Sequence, residues 1–158
     1  MENPWDQRYG GEGFAYGTEP NAFLAEVVGL LPAGGHVVSL GEGEGRNAVF
    51  LATRGFRVTG IDGSAVGLEK ARRLAAERGV EATFVEGDLA EVPLPDGADA
   101  FVSIFCHLPS ALRRDVHARA WRALRPGGVF VIVAYRPEQI PLGTGGPKDP
   151  DMLVRLAD

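Results

Sequence analysis

A run of apolar residues that breaks into alternating glycines constrains this chain more than any other feature. Val37-Val38-Ser39-Leu40 reads as a short buried strand, Gly41-Glu42-Gly43-Glu44-Gly45 as a turn, and Arg46-Asn47 as the opening of a helix. Glycines at alternate positions let the backbone turn without Cβ clashes and approach a ligand closely. Further on, the apolar strand Val58-Thr59-Gly60-Ile61 ends in Asp62, a carboxylate well placed for ribose hydroxyls. Together these segments imply a nucleoside-type cofactor at the carboxyl edge of a parallel sheet.

The rest of the chain supports such a sheet. Strands are expected at 36–40, 56–61, 82–85, 100–105 and 129–135, and helices at 47–54, 64–78 and 110–124, in alternation. Alternation of this kind implies parallel strands joined by right-handed crossovers. The strands are almost continuously apolar, as a sheet covered on both faces requires. The fold class is therefore α/β, a doubly wound, mainly parallel sheet with helices on both faces. Ahead of the sheet, Thr18 can cap a helix with Pro20 in its first turn, burying Phe23, Leu24, Val27, Val28 and Leu31. One domain spans residues 1–158: an irregular aromatic arm at 1–18, a cofactor-binding core at 19–135, and at 136–158 a Gly/Pro loop with the start of a helix at 152–157.

Charge and composition exclude several classes. The net charge of −5 lacks the basic field that nucleic-acid binding needs. A single cysteine, Cys106, rules out an internal disulfide and fits a reducing compartment. The N-terminus has neither a basic n-region nor an apolar h-region, and no apolar run approaches the ~18 residues of a membrane span. A cytoplasmic protein is expected, with no nucleic-acid or membrane partner and no metal.

A dinucleotide turn wants glycine at its first, third and sixth positions. Here the sixth is Arg46, and Glu42 and Glu44 would repel a pyrophosphate. The turn suits an amine-bearing ligand instead. In these residues the chain resembles the S-adenosylmethionine-dependent methyltransferases of the Rossmann-like superfamily: Gly41, Gly43 and Gly45 after the first strand, Asp62 after the second, Asp88-Leu89 after the third, and Leu124 with Pro126-Gly127-Gly128 before the fifth. Within the superfamily it looks like the small-molecule branch related to tellurite-resistance and thiopurine methyltransferases, through Trp5-Asp6-Gln7-Arg8-Tyr9 and Gly45-Arg46-Asn47.

The resemblance implies S-adenosylmethionine as cofactor. Asp62, followed by Gly63 and Ser64, would meet the ribose, Asp88 the adenine amino group, and Leu89 and Phe105 the ring. Gly41, Glu42, Gly43 and Asn47 would line the turn. Trp5 and Tyr9 would form an aromatic lid over the sulfonium, and Arg8 or Arg46 would pair with the cofactor carboxylate. His107, where the fourth strand runs out, is the candidate catalytic residue, as a base or a substrate contact. Cys106 reads as a small buried hydrophobe.

Two departures matter. Many members carry Asp or Glu where Ser39 stands, so that carboxylate is missing or its role has moved to Glu42. The family's sheet also ends in an antiparallel hairpin absent here, so the resemblance implies the strand order 3-2-1-4-5 with strand 129–135 as an apolar edge. A shortened chain, or a second copy pairing along that edge as a homodimer, is expected. The reading is methyl transfer to a small-molecule acceptor: a soft sulfur, selenium or tellurium nucleophile would need little or no base, and an oxygen or nitrogen one would need His107 or a nearby tyrosine to take its proton. The alternatives are a non-catalytic adenosylmethionine-binding or scaffold domain and an NAD-dependent oxidoreductase.

Overall fold

Strand register places the cleft. The computed structural model describes residues 3–157; Met1 and Glu2 of the expected arm and Asp158 of the expected tail lie outside them. Five strands, β1 (His36–Leu40), β2 (Arg57–Asp62), β3 (Thr83–Glu86), β4 (Ala98–Ile104) and β5 (Leu124–Val133), pair in parallel in the order β3-β2-β1-β4-β5. Leu40 pairs with Ile61 and with Ser103, Asp62 with Glu86, and Ile104 with Val133. All the strands therefore end at one level, and Gly41, Asp62, Asp88, Phe105 and Tyr135 emerge along one edge. Ligands in open α/β sheets bind at this edge.

Alternate side chains of each strand leave opposite faces. Val37, Val58, Ala100 and Val102 pack against Leu24, Val28, Ala48 and Leu51, from α2 (Ala22–Val27), its 3₁₀ continuation and α3 (Arg46–Thr53). Val38, Leu40, Ile61 and Phe101 pack against Val116, Ala120 and Ala123 of α5 (Ser110–Ala123). The remaining long helix, α4 (Ala65–Glu77), lies beside α3 and joins it through Val49, Leu74 and Ala75. Leu24, Leu51 and Leu74 are buried, and truncating such a residue to Ala costs about 2–5 kcal/mol. Among the described residues no helix is long and apolar enough to cross a membrane.

Three expectations are corrected. The arm is not wholly irregular: Pro4–Tyr9 form a helix, α1, whose N-terminus is capped by the Asn3 side chain accepting the Trp5 N–H. Proline at the first helical position loses no hydrogen bond there, so a short segment with no clear period still winds. The helix expected from Thr18 starts at Ala22, because Asn21 is the residue whose side chain accepts the Leu24 N–H; Phe23 remains about half exposed. No helix forms at 152–157. A 3₁₀ turn, Pro150–Met152, is followed by extended chain in which Leu153 is buried and the Val154 N–H bonds the Tyr135 carbonyl. Packing onto the sheet edge there overrides local helical preference.

Candidate functional site

Each glycine of the turn is required by a close neighbour. Gly43 has φ 62°, and a Cβ there would lie 2.6 Å from the Tyr9 hydroxyl. Gly45 has φ 92°, and its Cβ would lie 2.6 Å from the Ala71 Cβ, so its absence lets α4 pack against the turn. Gly45 also leaves α3 without a side-chain N-cap. Glu42 supplies one from three residues upstream: its Oε1 accepts the Ala48 N–H at 2.9 Å, and its Oε2 accepts the Ser39 hydroxyl. A carboxylate is favoured at a helix N-terminus, yet burial dominates and pushes the Glu42 carboxyl up to about 7.

Around the turn the sheet edge opens into a cleft with two lobes. The first, of about 730 Å³, is lined by Asp62, Gly63, Gly87, Asp88, Leu89 and Cys106. The second, of about 700 Å³, is lined by Arg8, Tyr16, Glu42, Glu44, Arg46, Asn47, Tyr135 and the segment 144–147. Trp5, Tyr9, Gly41, Phe105 and His107 line both and mark the junction. Of the site residues expected from sequence, only Gly43 and Ser64 fall outside the two linings. Gly43 lies beneath Tyr9, and its N–H donates to Asp62 Oδ2 at 2.8 Å. Ser64 is fully buried as the cap of α4, where its hydroxyl accepts the Gly67 N–H and donates to Asp6.

Asp62 is held from both sides, by the Gly43 N–H and by the Ser64 N–H at 2.7 Å. Two of a carboxylate's roughly four acceptor positions are thus used, and the others remain for a ligand. Burial raises its pKa, opposed by those two bonds. Asp88 is exposed; its Oδ1 accepts the Ala90 N–H at 2.8 Å, so it holds a turn while lining the lobe. The Asn47 side chain accepts the Asn21 N–H at 2.8 Å and ties α2 to α3. Arg8 lies over the Tyr16 ring, 5.2 Å from its centre, whereas the half-buried Arg46 guanidinium has no partner among the described residues.

At the junction, Phe105 is the only non-glycine described with positive φ, at 52°. Such a backbone costs about 1–2 kcal/mol and is held by surrounding contacts. Here the contacts are the Phe105 N–H to the Val133 carbonyl at 2.7 Å and a stack on Tyr135, 4.9 Å between ring centres. The conformation puts the Phe105 ring between the two lobes. His107 stacks on the same tyrosine, and its Nε2 accepts the Tyr135 N–H at 3.1 Å. Burial lowers the pKa of His107, while a bond to the Phe105 backbone acts the other way. Through this bond and the stack, His107 ties the ends of β4 and β5 together at the junction of the two lobes. The Cys106 thiol, wedged against Gly41, is pushed up to about 12 by burial.

Sequence reasoning assigned no role to Tyr135 or Lys70, and did not single out residues 144–147 within the Gly/Pro loop. Tyr135 was legible by the logic that found Phe105, as the aromatic residue where a strand runs out. Gly145-Gly146 carried a weaker signal: a Cβ on Gly146 would lie 2.6 Å from the Tyr135 ring, so only glycine lets that loop lie flat on it. Among the described residues no group of three or more His, Cys, Asp or Glu could hold a metal ion.

Residues 37–128 match the family model described as a methyltransferase domain. The chain is 29% identical over 129 residues to a 2-heptyl-1-hydroxyquinolin-4(1H)-one methyltransferase of Mycobacteroides abscessus, covering 77% of this chain and 57% of that protein. It is 36% identical over 104 residues to the demethylmenaquinone methyltransferase of Thermus thermophilus, covering 64% and 47%. The chain thus spans about half the length of these relatives. Among solved structures it resembles the CcbJ methyltransferase of Streptomyces caelestis, with a TM-score of 0.70 and 29% identity over 90% of this chain and 60% of that one.

Proposed function

The chain belongs to the methyltransferase-domain family, and from that premise we propose that it transfers the methyl group of S-adenosylmethionine to a small-molecule acceptor. One observation carries the proposal. A glycine turn ringed by buried carboxylates separates a lobe lined by Asp62 and Asp88 from one lined by aromatic rings and Arg46. The free oxygens of Asp62 and Asp88 fit the hydroxyl and amine donors of a nucleoside, and Arg46 fits a carboxylate, while the sixth position of the turn is Arg46 rather than the glycine a dinucleotide needs, which disfavours the NAD-dependent alternative.

S-adenosylmethionine, when bound, supplies a methyl group on a sulfonium that is already an activated electrophile. In this reading the spare acceptor positions of Asp62 take the ribose hydroxyls, Asp88 the adenine amino group, and Leu89 and Phe105 hold the ring. Gly41, Glu42, Gly43 and Asn47 shape the seat, with Gly63 and Ser64 supporting Asp62. Trp5 and Tyr9 close over it and offer π-faces to a cation. Arg8 or Arg46 pairs with the cofactor carboxylate. The protein's task is then alignment and exclusion of water.

The proton inventory of the cleft bears on the acceptor. His107 Nε2 accepts the Tyr135 N–H, Glu42 is bonded to Ser39 and Ala48, and Glu44 to Lys70 and Ala15. Burial, with nearby carboxylates, raises both the Cys106 thiol and the Tyr9 phenol. In this reading those side chains are already committed, and the acceptor arrives as its own nucleophile. This supports the soft sulfur, selenium or tellurium acceptor. The relatives named for a hydroxyquinolinone and a demethylmenaquinone support a small organic acceptor in general. Self-association along the 129–135 edge, whose strand β5 has only β4 as a neighbour in the sheet among the described residues, belongs to the same proposal.

Calorimetry tests the cofactor step. S-adenosylhomocysteine binds the wild type, and Asp62→Ala weakens binding by about 2–3 kcal/mol through loss of charged hydrogen bonds. Tight NADH binding without adenosylhomocysteine binding would refute the reading. Binding without release of adenosylhomocysteine in a screen of thiols and metalloid anions would favour the scaffold alternative.

A further inference from the structure

Lys70 is one of only two lysines in the chain, and it is buried. It sits on α4 between Gly67 and Ala71, the two residues that let Tyr9 and Gly45 approach that helix. An ammonium has three donors, and here each has an acceptor: the Gly11 carbonyl at 2.7 Å, the Gly13 carbonyl at 2.6 Å and Glu44 Oε1 at 3.0 Å. Glu44 Oε2 in turn accepts the Ala15 N–H at 2.7 Å. The Lys70 and Glu44 side chains are only 6% and 4% exposed. The Phe14 ring lies 5.9 Å from the ammonium.

Residues 11–15 thus wrap one buried ion pair, half of which belongs to the glycine turn. The other end of the arm is fastened separately. Asn3 donates to the Gly63 carbonyl at 2.6 Å, and Asp6 accepts from the Ser64 hydroxyl and the Val66 N–H. Between these fastenings lie Trp5, Arg8 and Tyr9, which roof the cleft, and any ligand seated there passes beneath them. Packing does not account for the lysine. Its neighbours on the buried face of α4, Leu68, Ala71 and Leu74, are apolar, and burying an ammonium is costly unless every donor is met.

We propose that Lys70 is a positioning residue for cofactor retention: the Lys70–Glu44 pair latches the arm to the glycine turn and so holds the roof closed over bound cofactor. The proposal rests on the cofactor reading above. Its action is indirect, because Lys70 lines neither lobe and works through Glu44 and the arm backbone.

Lys70→Met, of similar length and uncharged, tests the latch in the full chain. Stopped-flow displacement of S-adenosylhomocysteine should show an off-rate raised roughly tenfold or more, with a smaller change in on-rate, as expected when a buried charge pair is broken. Limited trypsin digestion should cut after Arg8 faster than in the wild type, with or without ligand, while circular dichroism shows a folded core. If Lys70→Met does not fold, Lys70→Gln, which keeps two N–H donors, should give the same changes in smaller degree. A folded variant with wild-type off-rate, or with unchanged cleavage at Arg8, overturns the latch. Failure of the cofactor reading is separate: the wild type would then not bind adenosylhomocysteine, while the ligand-free digestion would still report on the latch.

Discussion

Replacing Glu42 by Gln probes the electrostatics of the glycine turn. Glu42 is 7% exposed, and burial pushes its carboxyl from 4.5 up to about 7 despite bonds from Ser39 and Ala48 that favour the ionised form. In the unfolded chain the same carboxyl ionises near its ordinary value. Between those two pH values the folded protein therefore keeps a proton that the unfolded chain has released. Stability falls as pH rises across that window, by about 1.4 kcal/mol per pH unit at the steepest and about 3 kcal/mol in all. Glutamine keeps the shape, accepts the Ala48 N–H through its amide oxygen, donates to the Ser39 hydroxyl and does not ionise. Asp62, whose pKa burial also raises, contributes with the same sign but is present in both proteins. Urea unfolding followed by circular dichroism from about pH 4.5 to about pH 8.5 should show the variant gaining on the wild type, from near zero to about 3 kcal/mol. A stability difference that stays flat with pH, or closes as pH rises, would refute the reasoning.

Gly45→Ala combines a left-handed backbone with a Cβ driven into Ala71, at a cost of about 2–5 kcal/mol, and scanning calorimetry should record a melting point lowered by roughly 5–15 °C. An unchanged melting point would mean that α4 is not seated on the turn. His107→Gln should lower kcat/KM about ten- to a hundredfold by loosening Tyr135 and Phe105, with the shape of the pH–rate profile unchanged. Loss of a limb near neutral pH in that variant alone would instead assign His107 as the base.

Much of the architecture was legible because it rests on local pattern. Continuous apolar strands, helices stopped by Gly55 and Gly79, and carboxylates at strand ends are read one segment at a time, alternation and handedness make the sheet parallel, and the family resemblance supplied the order β3-β2-β1-β4-β5 that is observed. The arm and the tail were less legible. Asn3 and Pro4 start a helix too short to show a period, and the 152–157 segment has helical composition but gives up the helix to bury Leu153 and bond Tyr135. Lys70 was invisible for another reason: a lone lysine on an apolar helix face reads as a charge reaching solvent. Nothing local shows that two arm carbonyls and Glu44 converge on it.

By itself, then, the amino-acid sequence determined the sheet, the edge at which a ligand would sit and the residue types offered there, because periodicity and glycine spacing act within a few residues. What each of those residues does was decided only by tertiary structure. Glu42 caps α3 and bonds Ser39; His107 accepts the Tyr135 N–H; Asp88 holds its own turn; Lys70 of α4 pairs with Glu44 and bonds two arm carbonyls. Hydrogen-bond partners, burial and the pKa changes that follow depend on groups from distant segments meeting in a medium that excludes water, and that meeting exists only in the folded chain.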